Sequence, residues 1–188
     1  MAMNLLHRWL CASRLWRGHM RDDVLPWALD GIDLGAATLE IGPGYGANIP
    51  TLLARTSRLT ALEIDEDLAA RLRERAGDAV TIVGGDGAAM SLPDAEFTAV
   101  VCFTMLHHVP TTALQDALFA EVFRVLRPGG VFAGSDGRPS AGFALIHLGD
   151  TYNPVRPDGL PARLAAAGFT DIAVDIRGPN QRFRARKR

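Results

Sequence analysis

The run Leu39-Glu40-Ile41-Gly42-Pro43-Gly44-Tyr45-Gly46 has the spacing in this chain that most suggests chemistry. An apolar stretch is broken by a carboxylate and followed by three glycines at alternate positions. Glycine supplies dihedrals that other residues avoid and lets a ligand approach bare backbone, so a strand ending in such a loop is a place for a ligand. The carboxylate narrows the choice. Two residues before the first glycine, Glu40 would oppose a pyrophosphate and would suit a nucleoside whose far end is cationic.

Three further segments carry side chains of the same kind of use. Glu63 follows an apolar run and lies 21 positions after Gly42, where a carboxylate can accept both hydrogen bonds of a ribose diol. Asp65 could serve instead, or could cap the helix that begins after it. Gly84-Gly85-Asp86-Gly87-Ala88 offers a carboxylate for an exocyclic amine and backbone amides for ring nitrogens, or else an ordinary Asp-Gly turn. Phe103-Thr104-Met105-Leu106-His107-His108-Val109-Pro110 holds the clustered histidines His107 and His108. Either imidazole could act as a general base, or pack and bond to backbone instead. Two adjacent histidines are a thin basis for a metal ion, and no metal is expected.

These segments require a framework that brings them to one place. Apolar runs at 37–41, 58–63, 80–84, 98–103 and 131–135 read as strands. Helical spacing at 48–55, 67–76, 112–126 and 161–167 separates them or follows them. Strand–helix alternation predicts an α/β fold, a doubly wound and mostly parallel seven-stranded sheet with helices on both faces. Runs at 169–177 and 182–186, joined by Gly178-Pro179-Asn180-Gln181, predict a C-terminal antiparallel hairpin. In such a sheet every parallel strand ends on the same edge, so all four chemical segments meet there.

Composition sets the outer bounds. A chain of 188 residues that is 48% hydrophobic and 22% charged suits one domain with a sizeable core. The formal net charge of −1 supplies no general attraction for nucleic acid or an anionic membrane. The two cysteines, Cys11 and Cys102, suggest no disulfide framework, which fits a cytoplasmic protein. No run of about 18 apolar residues predicts a transmembrane segment. Leu5, Leu6, Trp9 and Leu10 have helical spacing, so residues 1–30 read as a helical segment that packs on the body or closes as a lid.

Taken together, these segments resemble the class I S-adenosylmethionine-dependent methyltransferases, in particular the methyltransferase 11 type acting on small molecules. The resemblance is carried by LEIGPGYG at 39–46, LTALEID at 59–65, VGGDGAAMSLPDAEFTAVVC at 83–102, MLHHV at 105–109 and FRVLRPGGVFAGSD at 123–136. It implies a Rossmann-like methyltransferase fold over 1–188, with a cofactor-binding core at 37–136, a variable connection at 137–157 and a closing helix and hairpin at 158–188. It implies S-adenosylmethionine as cofactor. Glu40 and the Gly42-Pro43-Gly44 backbone would then hold the methionine end, Glu63 the ribose, and Ile64 a face of the adenine. Asp86, Gly87 and Ala88 would take the adenine edge, and Phe103 would contribute backbone near the amino-acid moiety.

The acceptor is left to the flanking segments. Asp136, His147, Asp150 and Tyr152 are the polar candidates for facing a small-molecule substrate. Tyr152-Asn153-Pro154 lacks the second proline of the motif that aminomethylating enzymes use, and neither cysteine follows a proline, so nucleic-acid bases are disfavoured as acceptors. The alternating Arg182, Phe183, Arg184, Ala185 and Arg186 read as a strand with one solvated face rather than an RNA patch. The competing readings are a methyltransferase of RNA or protein, a cofactor-binding module without catalysis, and a dinucleotide oxidoreductase. Glu40 and the early third glycine oppose the last of these.

Overall fold

The computed structural model describes residues 4–188, with the side chains of Leu5, Leu6, His7 and Ile146 outside the description. The Leu5 and Leu6 part of the expected N-terminal apolar stripe therefore lies outside the described residues. Strands β1 (Ala37–Ile41), β2 (Arg58–Glu63), β3 (Thr81–Gly84), β4 (Phe97–Phe103) and β5 (Leu126–Gly137) run parallel. Strands β6 (Thr170–Arg177) and β7 (Asn180–Arg186) form the antiparallel hairpin. The sheet order is β3-β2-β1-β4-β5-β7-β6, so β7 inserts between β5 and β6.

The expected seven strands and mostly parallel sheet are present, and two strands start two residues or more from the expected position. The hairpin loop is only Gly178-Pro179, because Asn180 and Gln181 already pair with Arg177 and Ile176. Gly178 has a φ of +56°, which lets the chain reverse in two residues. The second difference is at β5, which begins at Leu126 rather than 131: Leu126 pairs with Phe97 before a register shift restores pairing at Val131. Arg127-Pro128-Gly129-Gly130 is therefore an irregular strand entry, not a separate turn.

Helices cover both faces because the buried strands alternate their side chains. Val100 and Cys102 point into one core; Ala99, Val101 and Phe103 point into the other. The first core is closed by α6 (Thr112–Val125) and α8 (Leu160–Ala166) through Leu118, Phe119, Val122, Leu160 and Leu164, which meet Phe132 and Phe183. The second is closed by α3 (Leu25–Ala28), α4 (Ile49–Leu53) and α5 (Glu66–Ala76) through Leu25, Leu52 and Leu72. Ahead of these helices run α1 (Leu5–Ala12), α2 (Arg14–His19) and a turn of π-helix at Met20–Val24. Met20 and Val24 are buried in the second core, so the end of this segment packs onto the body, while Trp9 and Leu15 stay exposed.

The connection at 137–157 contains α7 (Ala141–Ile146), which no periodicity announced. Ser140 starts it by accepting from the Phe143 amide at 3.1 Å. In the hairpin, Phe183 and Ala185 are buried while Arg184 between them and Arg186 after them are exposed. Arg182 pairs with Asp175 at 2.9 Å and Arg188 with Asp171 at 3.2 Å, while Arg186 and Lys187 donate to backbone carbonyls. Strand order reverses between β1 and β4, and ligands bind at such a point on the carboxyl edge of the sheet.

Candidate active site

The loop after β1 is held by the end of β2. Gly42, Gly44 and Gly46 all have positive φ, at +67°, +55° and +71°. A side chain at Gly46 would meet Leu72 at 2.7 Å, whereas nothing lies within 4 Å of the direction a Gly44 side chain would take. Gly44 therefore presents bare backbone to open space, as a ligand-binding turn requires. Its amide donates to Glu63 Oε2 at 2.9 Å, and the Asp65 amide donates to Glu63 Oε1 at 3.0 Å. Burial raises the Glu63 pKa, and these backbone hydrogen bonds oppose the rise. Each carboxylate oxygen keeps a second lone pair for an incoming hydroxyl.

Glu40 lies beneath the loop. It is fully buried, accepts from Asn48 Nδ2 at 2.8 Å through Oε1, and has no hydrogen-bond partner for Oε2. It does not line the cavity described below; Asn48 does. The resemblance gave Glu40 a direct hold on the methionine end, but in the structure Asn48 stands between Glu40 and the open space. Burial pushes the Glu40 pKa up to about 7, with the Asn48 hydrogen bond opposing and the nearby Glu63 charge adding to the rise.

This shift predicts a pH dependence. Between the ordinary value of 4.5 and about 7 the unfolded chain has released the proton that the folded chain retains. The folded state then binds more protons, and stability falls as pH rises through that window. The loss is on the order of 1–3 kcal/mol. Urea unfolding without ligand at pH 5 and pH 8 should show Glu40→Gln gaining on the parent chain at pH 8 and little at pH 5. An equal difference at both values would remove Glu40 as the cause.

At the other strand ends the expectations divide. Asp65 caps α5, accepting from the Leu68 amide at 3.1 Å, and so takes the second of its two candidate roles. Ile64 is 45% exposed, a large apolar side chain left open beside Glu63. Asp86 is exposed and closes a turn on the Ala88 amide at 2.9 Å, so the amide that the resemblance assigned to adenine is already paired within the chain. Gly87 is buried, where a side chain would meet Leu118 at 3.0 Å.

The end of β4 faces the glycine loop. Phe103 lines the cavity and Met105 packs against Gly42, where a Gly42 side chain would lie 3.1 Å from it. Thr104 has a φ of +50°, an unusual conformation for a residue with a branched side chain, held in part by its amide donating to the Ser135 carbonyl at 2.8 Å. No local signal in the sequence marked Thr104. His107 and His108 follow, both buried.

Asp136, expected to face a substrate, does not. It is 1% exposed, with its carboxylate under His107: Oδ1 lies 2.5 Å from His107 Nδ1, and Oδ2 accepts from the His107 amide at 3.0 Å. The Gly137 amide also donates to Oδ1, at 2.7 Å. The cause is the register of β5, which ends beside the turn after β4 and aims Asp136 inward. Asp150 is likewise not on the cavity wall; it accepts from the Asn4 amide. Tyr152 stacks on His147 with ring centroids 5.1 Å apart, behind the cavity rather than on its wall. His147 does reach the wall, and its ring meets His107 edge-on at 4.7 Å.

A cavity of about 510 Å³ joins these parts. Gly42, Gly44, Asn48, Glu63 and Phe103 line one end, and His107, His108 and His147 line the other. Leu10, Trp16 and Met20 form a wall from the N-terminal segment, so the packed segment also covers the site. The lining is predominantly apolar. Such a space has the size and apolar character of a small-molecule site.

Comparisons with known proteins agree with this fold. Residues 39–134 match the family model described as "Methyltransferase domain". A probable ribosomal RNA small subunit methyltransferase A of Haloarcula marismortui is 46% identical over 86 residues, 43% of this chain and 29% of that protein. A fatty-acid O-methyltransferase of Mycolicibacterium smegmatis is 38% identical over 109 residues, 56% of this chain and 38% of that protein. The chain thus spans roughly a third of the length of the curated relatives it matches. The PH0226 protein of Pyrococcus horikoshii superposes with a TM-score of 0.83 over 100% of both chains at 16% identity, which shows the fold. With its glycine loop, strand-end carboxylates and sheet order in the family's arrangement, the chain belongs to the class I S-adenosylmethionine-dependent methyltransferases.

Proposed function

We propose that this chain transfers the methyl group of S-adenosylmethionine to a small, largely apolar acceptor. The observation that carries the reading is the covered cavity, whose predominantly apolar walls run from Glu63 to the histidines and include Trp16 and Met20 of the N-terminal segment. In this reading Glu63 takes the ribose hydroxyls, Ile64 lies against the adenine, and the Gly42–Gly44 backbone receives the methionine end. Glu40 acts through Asn48. Asp86 contributes to the adenine edge by the carboxylate oxygen that its own turn does not use.

The reaction asks little covalent chemistry of the protein. The sulfonium is already a good leaving group, so the site's task is to hold a nucleophile in line with the methyl group at near-attack distance. A proton acceptor is needed only when the nucleophile carries a proton, and the histidines stand at that end of the cavity.

An RNA acceptor is the second reading, because several relatives are named for ribosomal RNA. The net charge of −1 favours the small molecule. Methyl-labelled cofactor, incubated with a lipid extract and separately with total RNA, tests the choice. Label is expected in the organic phase. Label in RNA alone would replace the acceptor class, and no label with either, despite cofactor binding, would favour a binding module.

A further inference from the structure

The three histidines at the acceptor end suggest more than three separate side chains. His107 and His108 come from the turn after β4, and His147 from the end of α7. All three are buried, and each offers a ring nitrogen within 4.8 Å of the others. Among the described residues this is the group of His, Cys, Asp and Glu side chains able to surround one ion.

The second nitrogens sharpen the picture. His107 Nδ1 lies 2.5 Å from the Asp136 carboxylate, which fixes a proton on Nδ1 and leaves the lone pair on Nε2. That Nε2 is buried with no hydrogen-bond partner. His147 Nδ1 lies 2.7 Å from the Phe143 carbonyl, an acceptor only, so its lone pair also belongs to Nε2. Carboxylate or carbonyl behind the imidazole, lone pair in front, is the arrangement that orients metal-ligating histidines. A tetrahedral ion with metal–nitrogen bonds of about 2.0–2.1 Å needs its nitrogens roughly 3.3 Å apart, so each pair has to close by about 1.5 Å or less.

We propose that His107, His108 and His147 form a three-histidine site for a divalent transition metal, with zinc the best match to neutral imidazole donors. The fourth position would open on the cavity, where all three residues line the wall. There it would take the oxygen or sulfur of the methyl acceptor, and this part rests on the proposed function. Coordination lowers the acceptor's pKa, its proton passes to water, and the metal-held anion keeps a lone pair for attack. The new heteroatom–methyl bond forms as the sulfur–methyl bond breaks, and the electron pair stays on sulfur, giving S-adenosylhomocysteine and methylated acceptor. The metal is neither oxidised nor reduced.

Cobalt(II) is the probe, since its visible spectrum reports tetrahedral nitrogen ligation. Metal-stripped protein titrated with cobalt should show one site with an intense tetrahedral band, displaced by zinc. His147→Gln and His108→Gln should each weaken binding by about 100-fold or more, at or beyond the upper range for losing a group that merely orients a ligand. Calorimetry with S-adenosylmethionine on the same samples reports folding and the cofactor end separately. If the parent chain binds cofactor but shows no tetrahedral cobalt band, the metal site is overturned and the methyltransferase reading stands. If cobalt binds equally well after both substitutions, the assignment to these residues is wrong. Metal bound as expected, with no label transferred to any acceptor, would instead overturn the proposed function and leave the site.

Discussion

Glu63→Ala is expected to weaken S-adenosylmethionine binding by about 2–3 kcal/mol, roughly 30- to 150-fold, as measured by calorimetry. Two effects add. The ribose loses a charged acceptor at the end of β2. The Gly44 and Asp65 amides, which donate to Glu63 at 2.9 and 3.0 Å, also lose their partner, so the glycine loop keeps only the Gly42 amide bond to the Leu62 carbonyl of β2. Glu63→Gln separates the effects, since its one carbonyl oxygen can keep a single amide while its amino group faces the other. It should fall between the parent chain and Glu63→Ala. Unchanged affinity in the alanine variant would remove Glu63 from the cofactor site and with it the placement of the nucleoside.

The second large effect is on folding. Asp136→Ala should destabilise the chain by about 3–5 kcal/mol in urea unfolding, because it leaves several buried donors without an acceptor, each costing about 1–3 kcal/mol. The Asp136 carboxylate accepts from the Gly137 amide and the His107 amide and ring nitrogen, all in a region with almost no solvent access. Truncation strands these donors. Asp136→Asn should cost less, because one oxygen remains to accept, although its amino group opposes a donor. A loss under about 1 kcal/mol for the alanine variant would mean that water enters and satisfies the stranded groups.

The sequence marked some residues of the site and missed others, for reasons that can be traced. Gly42, Gly44 and Glu63 were marked because each stands directly after an apolar run, and a parallel sheet brings all such positions to one edge. Thr104 was not, since a threonine does not by its own type favour the left-handed backbone it adopts, which its amide bond to the Ser135 carbonyl helps hold. Asp136 was marked as polar and placed facing the wrong way. Its position after β5 was readable; its direction depended on the register of β5 against β4. His107 and His108 were visible as a pair, but as a pair they implied no ion. His147 lay in the one connection without periodicity, and only the path of α7 brings it to the others.

Local pattern alone determined the strands, the helices on both faces, the glycine loop and the carboxylate that follows β2. Such signals arise within a few residues, where side-chain spacing and backbone preference act directly. The tertiary structure decided what these patterns could not hold: that Glu40 lies buried and accepts from Asn48, that the N-terminal segment lines the cavity, and that three histidines come together beside a buried aspartate. Each depends on contacts between residues distant in the chain. The approach of such residues is set by how sheet register and loop path bury the whole apolar surface at once, and no short stretch of sequence contains that information.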